Sequence, residues 1–248
     1  MENGIAYVIN LKRRNDRLEK FKEFYDKYGP PLELNVIEAI DGKNEKDIER
    51  VPQDIISMIS DKNDYDNKLV IKYTTMSHLI VWKKIAEGNH DYGVIFEDDC
   101  KFRVDYDKLP EICRESLKTR FSKIMEQFEK DNSVLFLGSG DILPIQTHPP
   151  SQPMLIRQEL SHVINRTNDF VGIPNFNSPY VFNWLGCFSY VMSKNTAKYL
   201  LSLNEPITTA VDAHLKNKYN EKKINIYLSI PLMTYSTMDD SDISPQKN

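Results

Sequence analysis

The sequence of 248 residues predicts an α/β fold with a mainly parallel central sheet flanked by helices. Short continuous apolar runs, such as residues 5–9 and 92–96, are typical of strands buried on both faces. Amphipathic helical patterns separate these runs along the chain. The run at 92–96 leads directly into Glu97, Asp98 and Asp99. In open α/β sheets, ligands bind beyond the carboxyl ends of strands, so these acids mark a candidate site.

The first forty residues predict a strand–helix–strand unit. Residues 5–9 form a first strand, and residues 34–40 form a second that ends at an Asp-Gly turn. The helix between them ends at a Gly-Pro-Pro sequence and places four large side chains on one face: Leu18, Phe21, Phe24 and Tyr25. The basic turn that precedes this helix is either a cradle for a phosphate or a solvated loop.

The remaining elements follow from hydroxyl caps and apolar periodicity. Thr74 and Thr75 are predicted to cap a helix that ends near Gly88. Pro110 is predicted to open a long helix before a strand at 134–137. A strand at 188–192 precedes a helix capped by Ser193, and a helix from Thr208 or Thr209 precedes a last strand at 224–230.

Several polar residues have two interpretations. The acidic strand end predicts a site for a divalent cation and a diphosphate, or else a solvated turn. His78 is either a ligand or a packed core histidine. Asp212 is either a catalytic base or a first-turn acid favoured by the helix dipole. The acids of the tail, Asp240 and Asp242 among them, are either ligands or a solvating segment.

Composition limits the class of protein. The formal charge of −4 and the scattered basic residues give no support for nucleic-acid binding. Three widely spaced cysteines predict neither a disulfide framework nor a zinc motif. Neither a signal peptide nor a membrane span is recognisable, so the expectation is a soluble, cytoplasmic protein.

The sequence predicts one domain over residues 1–248, with a loop region at 139–183 and a tail at 231–248. A long loop inside a compact domain is usually functional, which makes 139–183 a candidate binding region. Five aromatic residues in this region and directly after it form either a platform for a sugar ring or a cover for the sheet edge: Phe170, Phe176, Tyr180, Phe182 and Trp184.

Short motifs also occur in a characteristic order along most of the chain. They are Tyr-Val-Ile-Asn-Leu-Lys-Arg-Arg-Asn-Asp-Arg at 7–17, Ala-Ile-Asp-Gly at 39–42, Ser-His-Leu at 77–79 with Trp-Lys at 82–83, Val-Ile-Phe-Glu-Asp-Asp at 94–99, Tyr-Val-Met-Ser at 190–193 and Val-Asp at 211–212. This ordered set resembles glycosyltransferase family 25, which includes lipooligosaccharide galactosyltransferases of bacteria and the galactosyltransferase domain of collagen-modifying enzymes. The sequence departs from the family pattern at 71–76, where Gly-Glu and Gly-Cys are usual.

The resemblance implies a GT-A-like fold and an inverting, metal-dependent transfer of a hexose. The donor would be UDP-galactose or UDP-glucose, with galactose favoured. The acceptor would be a hydroxyl of hydroxylysine in a collagen-like peptide or of an oligosaccharide, and the loop region at 139–183 would form the acceptor side. It further implies Mn²⁺, or Mg²⁺, bound to the diphosphate of the donor. The alternatives are a catalytically inactive relative that binds sugar nucleotides or glycans, and another metal-dependent nucleotide enzyme such as a nucleotidyltransferase.

The resemblance also implies roles for particular residues. Asp99 is the expected metal ligand, Glu97 binds the metal or the ribose, and Asp98 is a close alternative. Asp212 is the expected base and Asp141 the second choice. Asp240 and Asp242 would add a metal ligand or a lid. The residues expected to bind the nucleotide are Asn10, Leu11, Arg14, Arg17, Ser77 and His78.

Overall fold

The apolar runs of the sequence form the strands of one sheet. The computed structural model describes residues 3–60, 68–103, 116–138, 164–166, 170–175 and 186–236. The strands are β1 (Gly4–Asn10), β2 (Leu34–Glu38), β3 (Tyr92–Glu97), β4 (Lys101–Phe102), β5 (Ser133–Phe136), β6 (Ile164–Arg166), β7 (Val171–Pro174), β8 (Ser189–Ser193), β9 (Asn225–Ser229) and β10 (Thr234–Tyr235). The helices are α1 (Asn15–Tyr28), α2 (Gln53–Met58), α3 (Lys68–Glu87), α4 (Leu117–Gln127), α5 (Lys194–Ser202) and α6 (Val211–Asn220), with a 3₁₀ turn at Glu45–Arg50.

The main sheet has eight strands in the order β2-β1-β3-β8-β5-β9-β7-β6. The strands β2, β3, β5, β9 and β6 run in the same direction as β1, whereas β8 and β7 run in the opposite direction. The prediction of an α/β fold with a mainly parallel sheet is therefore confirmed. The reversed strand β8 lies at the centre of the sheet, where it pairs antiparallel with both β3 and β5.

Alternation along the strands divides the core into two layers, because successive side chains of a strand point to opposite faces. Ala6, Val8 and Phe96 face the layer that contains α1 and α4. Tyr7 and Ile95 face the layer that contains α3, α5 and α6. The helices thus flank the sheet on both sides, as an α/β architecture requires.

Three details of the helices differ from the sequence prediction. The helix α6 begins at Val211 with Ala210 as its N-cap, so Thr208 and Thr209 precede it. The helix α3 begins at Lys68, so Thr74 and Thr75 lie within it and do not cap it. Its first two turns contain β-branched and aromatic residues of low intrinsic helix propensity, and packing against the rest of the fold overrides that preference. Phe24 of α1 is 47% exposed, although the predicted buried face included it. The predicted cap of α5 is confirmed, because Ser193 Oγ accepts a hydrogen bond from Thr196 N–H at 3.1 Å.

The predicted tail begins with ordered structure. The strand β10 pairs antiparallel with β4, which follows the acidic end of β3. This two-stranded ribbon brings Ser236 to the acidic strand end. In the predicted loop region, β6 and β7 extend the edge of the sheet. Phe170 packs against the core, while the other four aromatic residues of the predicted platform lie outside the described residues.

Candidate active site

The carboxyl ends of β1, β2 and β3 meet at one edge of the sheet, because these strands are parallel neighbours. The amino end of the reversed strand β8 reaches the same edge, where Phe96 is opposite Ser189. A cleft opens here. It has an apolar part, formed by Ile9, Leu11, Ala39, Ile40, Val70 and Tyr73, and a charged part, formed by Arg13, Arg17, Asp41, Lys43, Glu97, Asp98 and Asp99.

Asp98 has a hydrogen-bond partner on each carboxylate oxygen. Asn10 Nδ2 donates to Oδ2 at 2.6 Å, and Arg17 Nη1 lies 3.2 Å from Oδ1. Burial raises the pKa of Asp98, and the attraction of Arg17 and the hydrogen bond from Asn10 oppose that rise. This arrangement holds Asp98 in a fixed orientation and links the end of β1 to the end of β3.

The Asp99 carboxyl is less well satisfied by hydrogen bonds than the Asp98 carboxyl. Ser236 Oγ donates to its Oδ2 at 3.1 Å, whereas its buried Oδ1 has no hydrogen-bond partner among the described residues. Burial, followed by the negative charges of Glu97 and Asp98, raises the pKa of Asp99 to about 7. A buried carboxylate oxygen without a donor is costly, and a bound cation would relieve that cost.

Glu97 is oriented by a chain of three buried side chains. His78 Nε2 lies 3.0 Å from Oε1 of Glu97, and His78 Nδ1 lies 2.9 Å from the hydroxyl of Tyr190. Trp82 Nε1 donates to the same hydroxyl at 2.8 Å. Since an indole N–H can only donate, the Tyr190 proton is available for Nδ1. His78 then donates from Nε2 to Glu97.

Asp212 lies close enough to Glu97 for their charges to interact. It lies in the first turn of α6, and its Oδ1 accepts a hydrogen bond from Ala213 N–H at 2.8 Å. Burial raises the pKa of Asp212, and the negative charge of Glu97 raises it further. Burial raises the pKa of the Cys187 thiol, and the negative charges of Asp212 and Glu97 raise it further. Residues distant in sequence therefore form one electrostatic group.

The structure brings most of the predicted site residues together. Leu11, Arg17, Ser77, His78 and the three acids of β3 and its end line the cleft. Asn10 is buried behind it, where its side-chain amide also donates to the Arg14 carbonyl.

Two residues that were predicted to bind the nucleotide form bonds to other groups of the protein. The guanidinium of Arg14 pairs with Asp16, with Nε 3.1 Å from Oδ1. The hydroxyl of Ser77 donates to the Tyr73 carbonyl and accepts from Ile40 N–H, both at 2.9 Å. The remaining candidates, Asp141, Asp240 and Asp242, lie outside the described residues.

The residues that line the cleft without having been predicted as site residues include Arg13, Lys43 and Tyr73. Arg13 lies in the predicted basic turn, and Lys43 follows the predicted Asp-Gly turn. Both residues could have been predicted from the sequence, because basic residues near strand ends suit an anionic ligand. Tyr73 lies in the first half of α3, in a stretch that was not predicted to be helical. Its orientation depends on the packing of α3.

The donor set suits a hard divalent cation. Carboxylate oxygens are the ligands that Mg²⁺ and Mn²⁺ prefer. Within the described part of the chain, no group of three His, Cys, Asp or Glu side chains could hold an ion by itself. Three basic side chains face four carboxyl groups in the cleft: Arg13, Arg17 and Lys43 against Asp41, Glu97, Asp98 and Asp99. A diphosphate therefore needs an additional cation to bind beside these acids.

Comparison with known proteins identifies the family of this chain. Residues 4–215 match the model of glycosyltransferase family 25, described as an LPS biosynthesis protein. Because the match extends over most of the chain, the chain belongs to glycosyltransferase family 25.

Its relatives include collagen-modifying enzymes. Procollagen galactosyltransferase 1-A of Xenopus laevis is 26% identical over 90% of this chain and 32% of the relative. Procollagen galactosyltransferase 2 of Homo sapiens is 26% identical over 93% of this chain and 34% of the relative. The bovine protein named "Probable inactive glycosyltransferase 25 family member 3" is 21% identical over 86% of this chain and 33% of the relative. The chain thus spans about a third of the length of these relatives. In the described ranges, no helix is long and apolar enough to cross a membrane.

Proposed function

We propose that the protein is an inverting, metal-dependent glycosyltransferase. It transfers a hexose, with galactose favoured over glucose, from a UDP-sugar to an acceptor hydroxyl. The observation that carries the proposal is the Asp99 carboxyl, whose buried Oδ1 has no hydrogen-bond partner among the described residues and which lies beside Glu97 and Asp98 in a chain of family 25. Such a group is costly unless a ligand completes it, and a cation with a diphosphate is the ligand that this donor set suits.

The charged part of the cleft would receive the diphosphate. As the bond between the anomeric carbon and the diphosphate breaks, negative charge accumulates on the leaving UDP. Arg13, Arg17 and Lys43 are the cations that line the cleft, and they would attract this charge. A divalent cation held by Asp99 and Glu97 would supply further electrostatic stabilisation of the leaving group. Asp98 would act by fixing Arg17 and Asn10.

Inversion by a single displacement requires a base on the face opposite the leaving group. The acceptor oxygen forms a bond to the anomeric carbon, the bond to the diphosphate breaks, and the hydroxyl proton passes to the base. Asp212 is the proposed base. Its carboxyl lies in the same electrostatic group as Glu97, and burial raises its pKa, which makes the carboxylate a better proton acceptor. Asp141 stays the second choice.

The segment after β10 begins at the acidic strand end. Ser236 bonds to Asp99, and Asp240 and Asp242 follow four and six residues later in the sequence. A residue spans at most about 3.6 Å of extended chain, so both acids are within reach of Asp99. We propose that they add a ligand to the metal or cover the nucleotide.

The relatives direct the choice of acceptor. Two of them are named procollagen galactosyltransferases, and a collagen-type hydroxylysine is therefore the first acceptor to test. An oligosaccharide hydroxyl is the second. A catalytically inactive protein that binds sugar nucleotides is the other candidate function. It is favoured by the relative named as inactive and by the departure from the family pattern at residues 71–76.

One assay separates these functions. UDP-galactose and UDP-glucose are offered with Mn²⁺ to hydroxylysine peptides and lactosamine-type sugars, and UDP release and glycosylated product are measured. We expect product with UDP-galactose and loss of product on chelation. UDP binding without transfer or hydrolysis would identify an inactive relative. Consumption of a nucleoside triphosphate with release of pyrophosphate would instead indicate a nucleotidyltransferase.

A further inference from the structure

Tyr73 has a fixed position on the wall of the cleft. Its carbonyl accepts a hydrogen bond from Ser77 Oγ, and Ser77 Oγ accepts one from Ile40 N–H, both at 2.9 Å. This bridge ties the turn of α3 that carries Tyr73 to the segment that follows β2. The backbone of Tyr73 is therefore held relative to the sheet.

The ring of Tyr73 packs directly against the backbone of Gly42. A Cβ atom placed on Gly42 would lie 2.6 Å from Cδ2 and 3.3 Å from Cε2 of Tyr73. The ring can occupy this position only because residue 42 has no side chain.

The turn that contains Gly42 is itself braced. Asp41 Oδ1 accepts from Lys43 N–H at 3.0 Å, and Asp41 Oδ2 accepts from Arg13 Nε at 2.7 Å. Asp41 N–H donates to Asp47 Oδ2 at 3.0 Å. Because the turn is held from three sides, the ring has a rigid surface behind it and needs little ordering on binding.

The surroundings of the ring define the chemistry of its ligand. Leu11, Ile40 and Val70 line the same cleft, whereas Arg13 and Lys43 add positive charge beside them. A ligand that matches both parts has a planar apolar face and an anionic group. A nucleoside diphosphate has both, and aromatic side chains stack on nucleobases.

We propose that Tyr73 is the platform on which the base of the donor nucleotide stacks, with Gly42 providing the space for its ring. This inference rests on the proposed function, since it assigns the base-binding part of the same cleft.

Calorimetric titration of the whole chain with UDP in the presence of Mn²⁺ tests the assignment. In Tyr73→Ala the dissociation constant for UDP should rise about tenfold or more, whereas Tyr73→Phe keeps the ring and should bind UDP as the wild type does. Gly42→Ala should also weaken UDP binding, because the new methyl group displaces the ring. Pyrophosphate with Mn²⁺ lacks a base, so Tyr73→Ala should leave its binding unchanged.

Tyr199 provides a matched control, because it is also a partly buried tyrosine packed against the same core layer but does not line the cleft. Tyr199→Ala should bind UDP normally, and melting temperatures without ligand report on folding. Wild-type UDP binding that persists in Tyr73→Ala would overturn this inference and leave the proposed function standing. Equal losses of UDP and pyrophosphate binding would also overturn it. A wild type that binds no nucleotide would overturn both.

Discussion

His78 contacts Glu97 through Nε2, at 3.0 Å from Oε1, and the histidine ring is completely buried. The pair connects α3 in one layer of the core to the acidic end of β3. The hydroxyl of Tyr190 contacts the other ring nitrogen, Nδ1, and Trp82 Nε1 donates to that hydroxyl. His78, which lines the cleft, therefore orients the Glu97 carboxylate, and Tyr190 and Trp82 fix His78 from the interior of the protein.

Removing the Tyr190 hydroxyl should weaken both the fold and the site. Tyr190→Phe leaves Trp82 Nε1 and His78 Nδ1 without their shared partner, and each buried group that loses a partner costs about 1–3 kcal/mol. We expect the free energy of unfolding to fall by about 2 kcal/mol or more, as measured by urea denaturation. The affinity for UDP with Mn²⁺ should also fall, because the His78 ring that orients Glu97 is no longer fixed by Tyr190.

Tyr227→Phe is the matched control for this experiment. The Tyr227 hydroxyl lies 3.5 Å from Oε2 of Glu129, which is a weak contact. Its loss should change stability by less than about 0.5 kcal/mol. If the two variants have equal stability, the buried chain does not contribute as inferred.

If Asp99 binds the metal, its replacement should abolish ligand binding without a comparable loss of folding stability. Asp99→Ala removes a buried carboxyl whose Oδ1 has no described partner, so the fold should tolerate it. Mn²⁺-linked UDP binding should be abolished. Thermal shift with and without Mn²⁺ and UDP measures both effects, since a ligand that binds the native state raises the melting temperature. Unchanged UDP-linked stabilisation in Asp99→Ala would reject the metal role.

The proposed base can be distinguished from a nucleotide ligand. Asp212→Asn keeps the shape of the side chain and its hydrogen bond from Ala213 but cannot accept the acceptor proton. UDP binding should persist while transfer falls by about 10²–10⁴-fold. Asp54→Asn, at an exposed first-turn acid of α2, is the control and should transfer normally. Wild-type turnover in Asp212→Asn would remove it as the base.

His214 should contribute to acid instability. Burial, followed by the positive charge of Lys218, lowers the pKa of His214 from 6.5 to about 4. Between these values the unfolded chain binds the proton that the folded chain does not, so stability falls as the pH decreases from about 6.5 to 4. The contribution is about 3 kcal/mol.

Urea denaturation over this pH range measures the effect. In His214→Gln the slope of unfolding free energy against pH should become smaller, whatever the variant does to stability at neutral pH. A slope in His214→Gln that equals the wild-type slope would show that other groups cause the acid instability.

Local patterns predicted much of the fold. The apolar runs at β1 and β3 and the hydroxyl cap at Ser193 are signals contained within a few neighbouring residues, and each is confirmed. The start of α3 was not predicted correctly, because its first turns depend on packing rather than on propensity. The place of β8 between β3 and β5 was equally inaccessible, since strand order is decided by contacts between distant segments.

In the candidate site too, features marked by neighbouring residues could be predicted, whereas contacts between distant segments could not. The acids at 97–99 could be located because three carboxylates after an apolar run are locally unusual. The hydrogen bonds of Asp98 to Asn10 and Arg17, across more than eighty residues, could not be read from spacing. The same holds for the chain from Trp82 through Tyr190 to His78, because its hydrogen bonds join segments that are distant in sequence. Tyr73 was missed because its direction depends on the turn at Gly42.

The central position of β8 has a consequence for synthesis on the ribosome. The strands β1, β2 and β3 can assemble early, but β3 keeps an unpaired edge until Ser189–Ser193 emerges, more than ninety residues after Glu97. An exposed apolar edge invites pairing with other nascent chains. Truncated proteins that end before β8 should therefore accumulate as aggregates, and a chaperone that shields this edge should raise the yield of the full chain.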